Sequence, residues 1–324
     1  SSEITARYKA RLLQGDSLTD LTGGFGIDCS FLATGFKSAT YVERQEELCE
    51  IAAHNFPVLN LNHINIKNED GVAYLEAMSP VDCIFLDPAR RNEHGGKTVA
   101  ISDCEPNVAE LEELLLQKAN RVMIKLSPML DLSLALKELK QTQEVHILSV
   151  NNECKELLIL LGQTSPAEIS IHCVNLFTKG TQKEQHFVFT REQEQCSECT
   201  YTDSLETYLY EPNASLLKAG AFRSIAAAYP VRKLHPNSHL YTSDTFIENF
   251  PGRIFRIVNQ CSFNKKEVKE NLADLKKANV TVRNFPATVA ELRKRIHLAE
   301  GGDTYLFAST LNNGQKVLIR CEKV

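Results

Sequence analysis

The chain has no run near the roughly 20 apolar residues that would cross a bilayer as a helix, and no signal-peptide pattern at its start. No membrane partner is therefore expected, and the cytoplasm is the expected compartment. Internal repeats and low-complexity tracts are missing too, which removes solenoids and disordered arrays. No Ser/His/Asp arrangement surrounds a nucleophile elbow, so hydrolase readings lack support. Tryptophan is absent, which excludes nothing. The chain starts Ser1-Ser2-Glu3 without methionine, the expected start of a processed or trimmed piece of a longer protein. Cysteine is not scarce, at 10 residues, but the thiols are scattered. Cys29, Cys83 and Cys173 sit in apolar runs, where a thiol acts as a small buried hydrophobe in a reducing compartment.

What is present suffices for a large core: 324 residues with 43% hydrophobic content, the length of two domains or three. The net charge of −5 is unevenly spread. Residues 1–204 hold 18 Lys and Arg against 30 Asp and Glu, whereas residues 205–324 hold 18 against 11. A basic appendage on an acidic body suits polyanion docking, although a solvated surface with a chance bias has the same signature.

Strand-like runs at 17–21, 39–42, 64–67, 83–86, 121–126 and 145–150 alternate with helical patterns at 28–32, 45–55, 71–77, 109–118 and 133–139. That alternation predicts βαβ units and a parallel sheet. A hairpin over 169–177 and 186–190 is expected at the sheet's edge, and the polar run 192–203 is the expected linker. A helical patch follows at 214–228. After Pro251-Gly252 comes a series of strand, helix, strand, helix and two strands, at 253–258, 265–278, 280–283, 288–295, 304–310 and 316–321. It suits a small α+β module whose last hairpin turns at Asn312-Asn313-Gly314. The expected organisation is a cofactor-binding α/β domain over 1–195, an inter-domain segment over 196–252 and the α+β domain over 253–324.

Residues 17–28, SLTDLTGGFGID, read as a short strand ending on Asp20, a glycine turn and the start of a helix. Small residues at such a turn let backbone N–H groups approach a ligand, and a helix N-terminus favours electron-rich groups. The next strand ends on Glu43, placed to accept hydrogen bonds from a ribose diol. An adenosine-type cofactor follows. A dinucleotide fingerprint, G-x-G-x-x-G, would need a third glycine where Cys29 stands.

The pattern Asp20-x-Thr22-x-Gly24-x-Gly26 resembles the first motif of class I S-adenosylmethionine-dependent methyltransferases, with Thr22 in the usual first glycine position. Its longer form through Asp28 is similar to that of particular ribosomal-RNA guanine methyltransferases. The resemblance implies a doubly wound, Rossmann-like sheet and S-adenosyl-L-methionine as cofactor. Asp20 would orient the cofactor's amino-acid end, with Thr22, Gly23, Gly24, Gly26 and Asp28 around it. Glu43 and Arg44 would hold the ribose, and Asp70 and Gly71 would lie near the adenine amine. Asp87-Pro88, closing the fourth strand, would touch the cofactor and face the acceptor.

Enzymes of this class that act on exocyclic amines often carry an (Asn/Asp/Ser)-Pro-Pro-aromatic motif at this strand end. Here Ala89 and Arg90 replace the second proline and the aromatic residue, a form closer to the Asp-Pro-Pro-Arg of RNA methyltransferases. Arg90, Arg91 and Lys125 would then contact RNA, although a salt bridge to a nearby carboxylate is the plainer alternative for the arginines. The glycine-rich segment 92–97 is long enough to move over a substrate. Methylation at pyrimidine carbon 5 needs a cysteine nucleophile, which neither the motif at 87–91 nor Lys125-Leu126-Ser127-Pro128 contains. Transfer to a nitrogen needs only alignment and an acceptor for the amine, for which Asp87 is the candidate.

The C-terminal segment from about 253, including AELRKRIHLAEGGDTYLF, resembles the THUMP-like, ferredoxin-like module of bacterial methyltransferase relatives, notably in Bacteroidetes. Such modules help to hold RNA. Lys265, Lys269, Arg293 and Arg295 are the residues expected to do so, with Lys265, Lys269 and Lys276 on one helix face. The expected activity is methyl transfer to a base nitrogen of ribosomal or transfer RNA, with no obligate protein partner. A non-catalytic RNA-binding protein with a vestigial cofactor fold and an NAD-dependent oxidoreductase are the alternatives. No metal is expected: Cys196, Cys199, His235 and His239 are spaced as in no zinc finger, and His54, His63 and His146 read as surface or satisfied core residues.

Overall fold

A computed structural model describes residues 1–90, 100–164 and 166–324, with the side chain of Arg90 outside that description. The chain divides into two compact units, Ser1–Arg191 and Glu192–Val324.

The first unit begins with α1 (Glu3–Ala10), β1 (Ser17–Asp20), α2 (Ile27–Leu32), β2 (Ser38–Glu43), α3 (Glu46–Val58), β3 (Ile64–Asn68), α4 (Gly71–Ala77) and β4 (Val81–Leu86). It continues with β5 (Ala89–Arg90), β6 (Cys104–Glu105), α5 (Val108–Lys118), β7 (Ala119–Leu126), α6 (Leu132–Glu138), β8 (Thr142–Val150), β9 (Glu153–Gly162), β10 (Ser170–Leu176) and β11 (Glu184–Thr190). Nine of these strands form one sheet in the order β11-β10-β8-β9-β7-β4-β1-β2-β3. The strands β3, β2, β1, β4 and β7 run parallel, as the alternation of strands and helices predicts. The chain winds outward in one direction from β1 through β2 to β3 and in the other from β4 to β7. The switch point therefore lies between β1 and β4, where open α/β sheets bind ligands beyond their strands' carboxyl ends.

One strand of this sheet was not legible. β9 inserts antiparallel between β7 and β8, so the strand over 145–150 does not neighbour β7. Its run LLILL is buried throughout, and an apolar run without alternation reads equally as helix or strand. The missed signal is the turn. Asn151 and Asn152, at φ 49° and 68°, form the two-residue loop with two positive φ angles that suits a β-hairpin. The expected hairpin of β10 and β11 does form the sheet's edge. On one face, Tyr8, Leu13, Leu32 and Phe36 pack with Leu18, Phe85 and Leu158 of the strands; elsewhere Tyr41, Cys49 and Phe56 form a second cluster.

The helix α7 (Arg191–Cys196) crosses the unit boundary. The second unit then holds β12 (Tyr208–Pro212), α8 (Ala214–Ala219), α9 (Ser224–Ala228), β13 (Arg232–Lys233), β14 (Tyr241–Ser243) and β15 (Gly252–Ser262). After these come α10 (Lys265–Leu272), β16 (Lys277–Val282), α11 (Val289–Ile296), β17 (Ala299–Thr310) and β18 (Lys316–Lys323). Its seven strands make one sheet, β13-β14-β12-β15-β18-β17-β16. The segment 196–252, expected between domains, instead supplies three strands of that sheet. Turn residues and short strands masked it. The helix expected over 265–278 also ends early, at Leu272, because Ala278 is buried in β16 against β17 and sheet pairing overrides helix propensity. Lys276 is therefore not on the face that carries Lys265 and Lys269.

Candidate cofactor and acceptor site

The turn after β1 is fixed from below. Asp20 is 1% exposed and accepts a hydrogen bond from Thr22 N–H through Oδ1 at 3.0 Å. Burial pushes its carboxyl up to about 8, against the Thr22 hydrogen bond, with Asp28 and Asp87 adding repulsion. At Gly23 a Cβ would lie 2.2 Å from the Tyr41 ring, so no side chain fits. Gly24, at φ 52°, is different: a Cβ there would meet only the Thr22 carbonyl, at 3.8 Å, and its N–H donates to Glu43 Oε2 at 2.8 Å. Tyr41 Oη donates to the Gly24 carbonyl, closing the turn from the other side.

Beyond the strand ends lies a cleft of about 520 Å³. Leu21, Thr22 and Gly24 form one wall, and Val42, Glu43, Arg44 and Gln45 follow from the end of β2. Asp70, Gly71 and Val72 come from the start of α4, Asp87 and Ala89 from beyond β4. The last wall is Glu105, Pro106, Asn107, Glu110 and Leu111, where β6 enters α5. Glu43 Oε1 also accepts from Gln45 N–H at 2.9 Å, so one carboxylate holds both the glycine turn and the end of β2. Asp70 caps α4, its Oδ1 accepting from Val72 and Ala73 N–H. Gly71 packs so closely that a Cβ would meet the Leu21 carbonyl at 2.2 Å. Asp87 is tied back to the turn, its N–H donating to Thr22 Oγ1 at 2.6 Å.

Behind the turn runs a chain of ion pairs. Lys9, fully buried on α1, faces Glu156 and Asp28; Lys125, at the end of β7, pairs with Asp28 at 3.1 Å and with Asp87. Burial opposes the ionised form of Asp28, but Lys9 and Lys125 overcome it and hold the carboxyl below its ordinary value. Burial raises the carboxyl of Asp87, with Lys125 opposing. For Lys125 burial works against the ammonium, and Asp87 and Asp28 more than offset it, so its pKa is raised.

A family model for a THUMP domain-like module matches residues 252–323, and one for a ferredoxin-like domain matches 208–251. The crystal structure of a candidate methyltransferase from Porphyromonas gingivalis W83 superposes with a TM-score of 0.91 at 37% identity, covering 100% of this chain and 81% of that one. The chain belongs to the class I methyltransferases with a C-terminal THUMP-like domain. An rRNA methylase from Streptococcus thermophilus matches 49% of this chain and 93% of its own at 15% identity and a TM-score of 0.36. A further methyltransferase candidate, from Streptococcus mutans in complex with SAH, matches 49% and 96% at 12% identity and a TM-score of 0.35. None of the curated proteins matches the chain.

In this methyltransferase fold, the sequence-derived set divides. Thr22, Gly24, Glu43, Arg44, Asp70, Gly71 and Asp87 converge on the cleft. Asp20, Gly23, Gly26 and Asp28 do not line it: the glycines pack on Tyr41 and Phe56, Asp20 supports the turn, and Asp28 is spent in ion pairs. Pro88 is buried and does not line the cleft. Lys125, expected to reach substrate, points its ammonium into the pairs with Asp28 and Asp87 instead. Arg44 lines the cleft but pairs with Glu105 at 3.2 Å. Arg91, the side chain of Arg90 and the segment 92–97 lie outside the described residues. In the second unit, Lys265 and Lys269 stand exposed on α10. Arg293 is half-buried near Glu300 at 3.5 Å, and Arg295 lies over the Phe263 ring at 4.1 Å. The wall from Glu105 to Leu111 was missed. Its one sequence signal is a helix start, Asn107 with Glu110 three residues on, which the structure confirms as a cap.

Proposed function

We propose that the chain transfers the methyl group of S-adenosyl-L-methionine to a base nitrogen of ribosomal or transfer RNA. The observation that carries this reading is the placement of Asp87 in the same cleft as Glu43 and Asp70, with its backbone tied to Thr22 at 2.6 Å. The residues fit the cofactor on two further grounds. A Cβ at Gly24 would meet nothing nearer than the Thr22 carbonyl at 3.8 Å, and among the described lining residues five carboxylates (Glu43, Asp70, Asp87, Glu105 and Glu110) face one guanidinium, Arg44. Such a field favours a cationic ligand. When bound, that cofactor supplies an electrophilic methyl group on a sulfonium.

Glu43 has lone pairs beyond those used by Gly24 and Gln45 and would accept from the ribose hydroxyls. Asp70 would face the adenine amine. Asp87, oriented by Lys125, would accept a hydrogen bond from the acceptor's amine and align its lone pair. None of the described residues lining the cleft is a cysteine, which favours nitrogen over pyrimidine carbon 5. Arg90 and Arg91, with Lys265 and Lys269 exposed on α10 of the second unit, would hold the RNA backbone.

The test incubates enzyme and labelled cofactor with total RNA from a strain lacking the gene, then maps the labelled nucleoside by mass spectrometry. Label in a base nitrogen is expected, and no label in any RNA fraction defeats the RNA reading. Thermal protection by S-adenosylhomocysteine is expected as well. Protection by NADH alone would restore the oxidoreductase alternative, which family membership disfavours.

A further inference from the structure

A second group of chemistry-bearing side chains lies away from the cleft. Glu144 and His146 are two residues apart on β8 and share one face of the sheet. On the neighbouring β10, His172 is the register partner of His146. The ligand atoms of Glu144, His146 and His172 all lie within 4.8 Å of one another. The rings of His146 and His172 stack with centroids 4.3 Å apart, and His186 of the edge strand β11 continues the stack at 5.3 Å.

We propose that Glu144, His146 and His172 bind a divalent cation of the zinc class, with His186 as the fourth ligand. Zinc holds nitrogen and oxygen ligands at about 2.0–2.2 Å, which places neighbouring tetrahedral ligands about 3.3 Å apart. Two separations here have that size: Glu144 Oε2 to His146 Nε2, and His172 Nδ1 to His186 Nε2, each 3.2 Å. The partners around the set are those of a metal site. Tyr8 Oη is 2.9 Å from His146 Nδ1, which fixes the ring and leaves Nε2 toward Glu144. Arg121 binds the other carboxylate oxygen, Oε1, at 2.9 Å and leaves Oε2.

One carboxylate with imidazoles suits zinc, cobalt or nickel; calcium and magnesium prefer oxygen sets, and copper(I) prefers thiolates. Access is open through His186, which is exposed, while His146 is buried. Glu144 and His146 begin β8, whereas the cleft lies beyond the carboxyl ends of β1, β2 and β4. The ion would therefore clip β8, β10 and β11 together and would not take part in methyl transfer. This inference stands independently of that activity.

The test strips the full chain with a chelator and reloads it with Zn²⁺ or Co²⁺, reading stoichiometry by elemental analysis and geometry by cobalt absorption. One ion per chain is expected, in the wild type and in the Cys196→Ser/Cys199→Ser variant, with a rise in Tm on loading. His172→Asn should weaken binding by at least tenfold, and Tyr8→Phe by roughly tenfold, as loss of an outer partner does. Glu144→Gln, at a half-buried position, gives the same reading without disturbing the imidazole stack, and circular dichroism checks the fold of each variant. Absence of stoichiometric binding overturns the proposal. Binding unchanged in both His172→Asn and Glu144→Gln, or lost only with Cys196 and Cys199, overturns it equally.

Discussion

Glu43 joins two functions in one side chain, since it holds the Gly24 and Gln45 amides and lines the cleft. Glu43→Ala should weaken S-adenosylhomocysteine binding roughly tenfold to a hundredfold, the range of a lost charge-assisted hydrogen bond, as read by calorimetry. Asp87→Ala should weaken cofactor binding less than Glu43→Ala does and lower methyl transfer about a hundredfold or more, the scale of one lost transition-state hydrogen bond. Asp20 makes a prediction about pH. Its carboxyl lies at about 8 in the folded chain against 3.8 as the ordinary value, so the folded state holds a proton that the unfolded state releases. Stability from this group is present below pH 3.8 and is lost as pH rises through 8. Asp20→Asn keeps an acceptor for Thr22 N–H and should flatten the fall in Tm between pH 5 and 8; an unchanged slope would place the titration elsewhere. Acids at strand ends were legible because spacing brings them to one edge. The partnering of Asp28 and Lys125 was not, because Lys9 and Glu156, far apart in sequence, meet them only in the fold.

Elements were readable where periodicity and punctuation agreed. The strand, glycine turn and helix at β1–α2, and the helix α4 behind its Asp70 cap, lie where the pattern places them. β9 was lost because burial on both faces erases alternation, and α1 because nothing in it is strongly amphipathic. The turn itself is the most sensitive joint. Gly23→Ala would drive a Cβ into the Tyr41 ring and should cost about 1–3 kcal/mol, the usual penalty of overpacking, by chemical denaturation. Gly35→Ala, with nothing within 4 Å of the added carbon, should stay within about 0.5 kcal/mol and serves as the control.

At the scale of the whole chain, charge and sheet continuity matter most. Residues 205–324 carry 18 basic against 11 acidic side chains, while the charged side chains among the described residues lining the candidate cleft are mainly acidic. Replacing Lys265 and Lys269 by Glu should weaken RNA binding uniformly across sequences. It should also lower the slope of log affinity against log salt by roughly 1–2, as loss of one or two phosphate contacts does. Methyl transfer to a minimal acceptor should survive.

The boundary between the two family matches falls between residues 251 and 252, inside a working ladder. Tyr208 to Pro212 pair with Arg256 to Gly252, and the buried Glu211 meets Arg253 and, at 3.0 Å, Arg283. A fragment of 252–324 would bare a long edge strand and leave two guanidinium groups without their carboxylate, whereas 192–324 keeps both. The two named modules are thus one heritable piece: recombination that cut at their border would part a carboxylate from its arginines, so any shuffling between relatives must carry them across together.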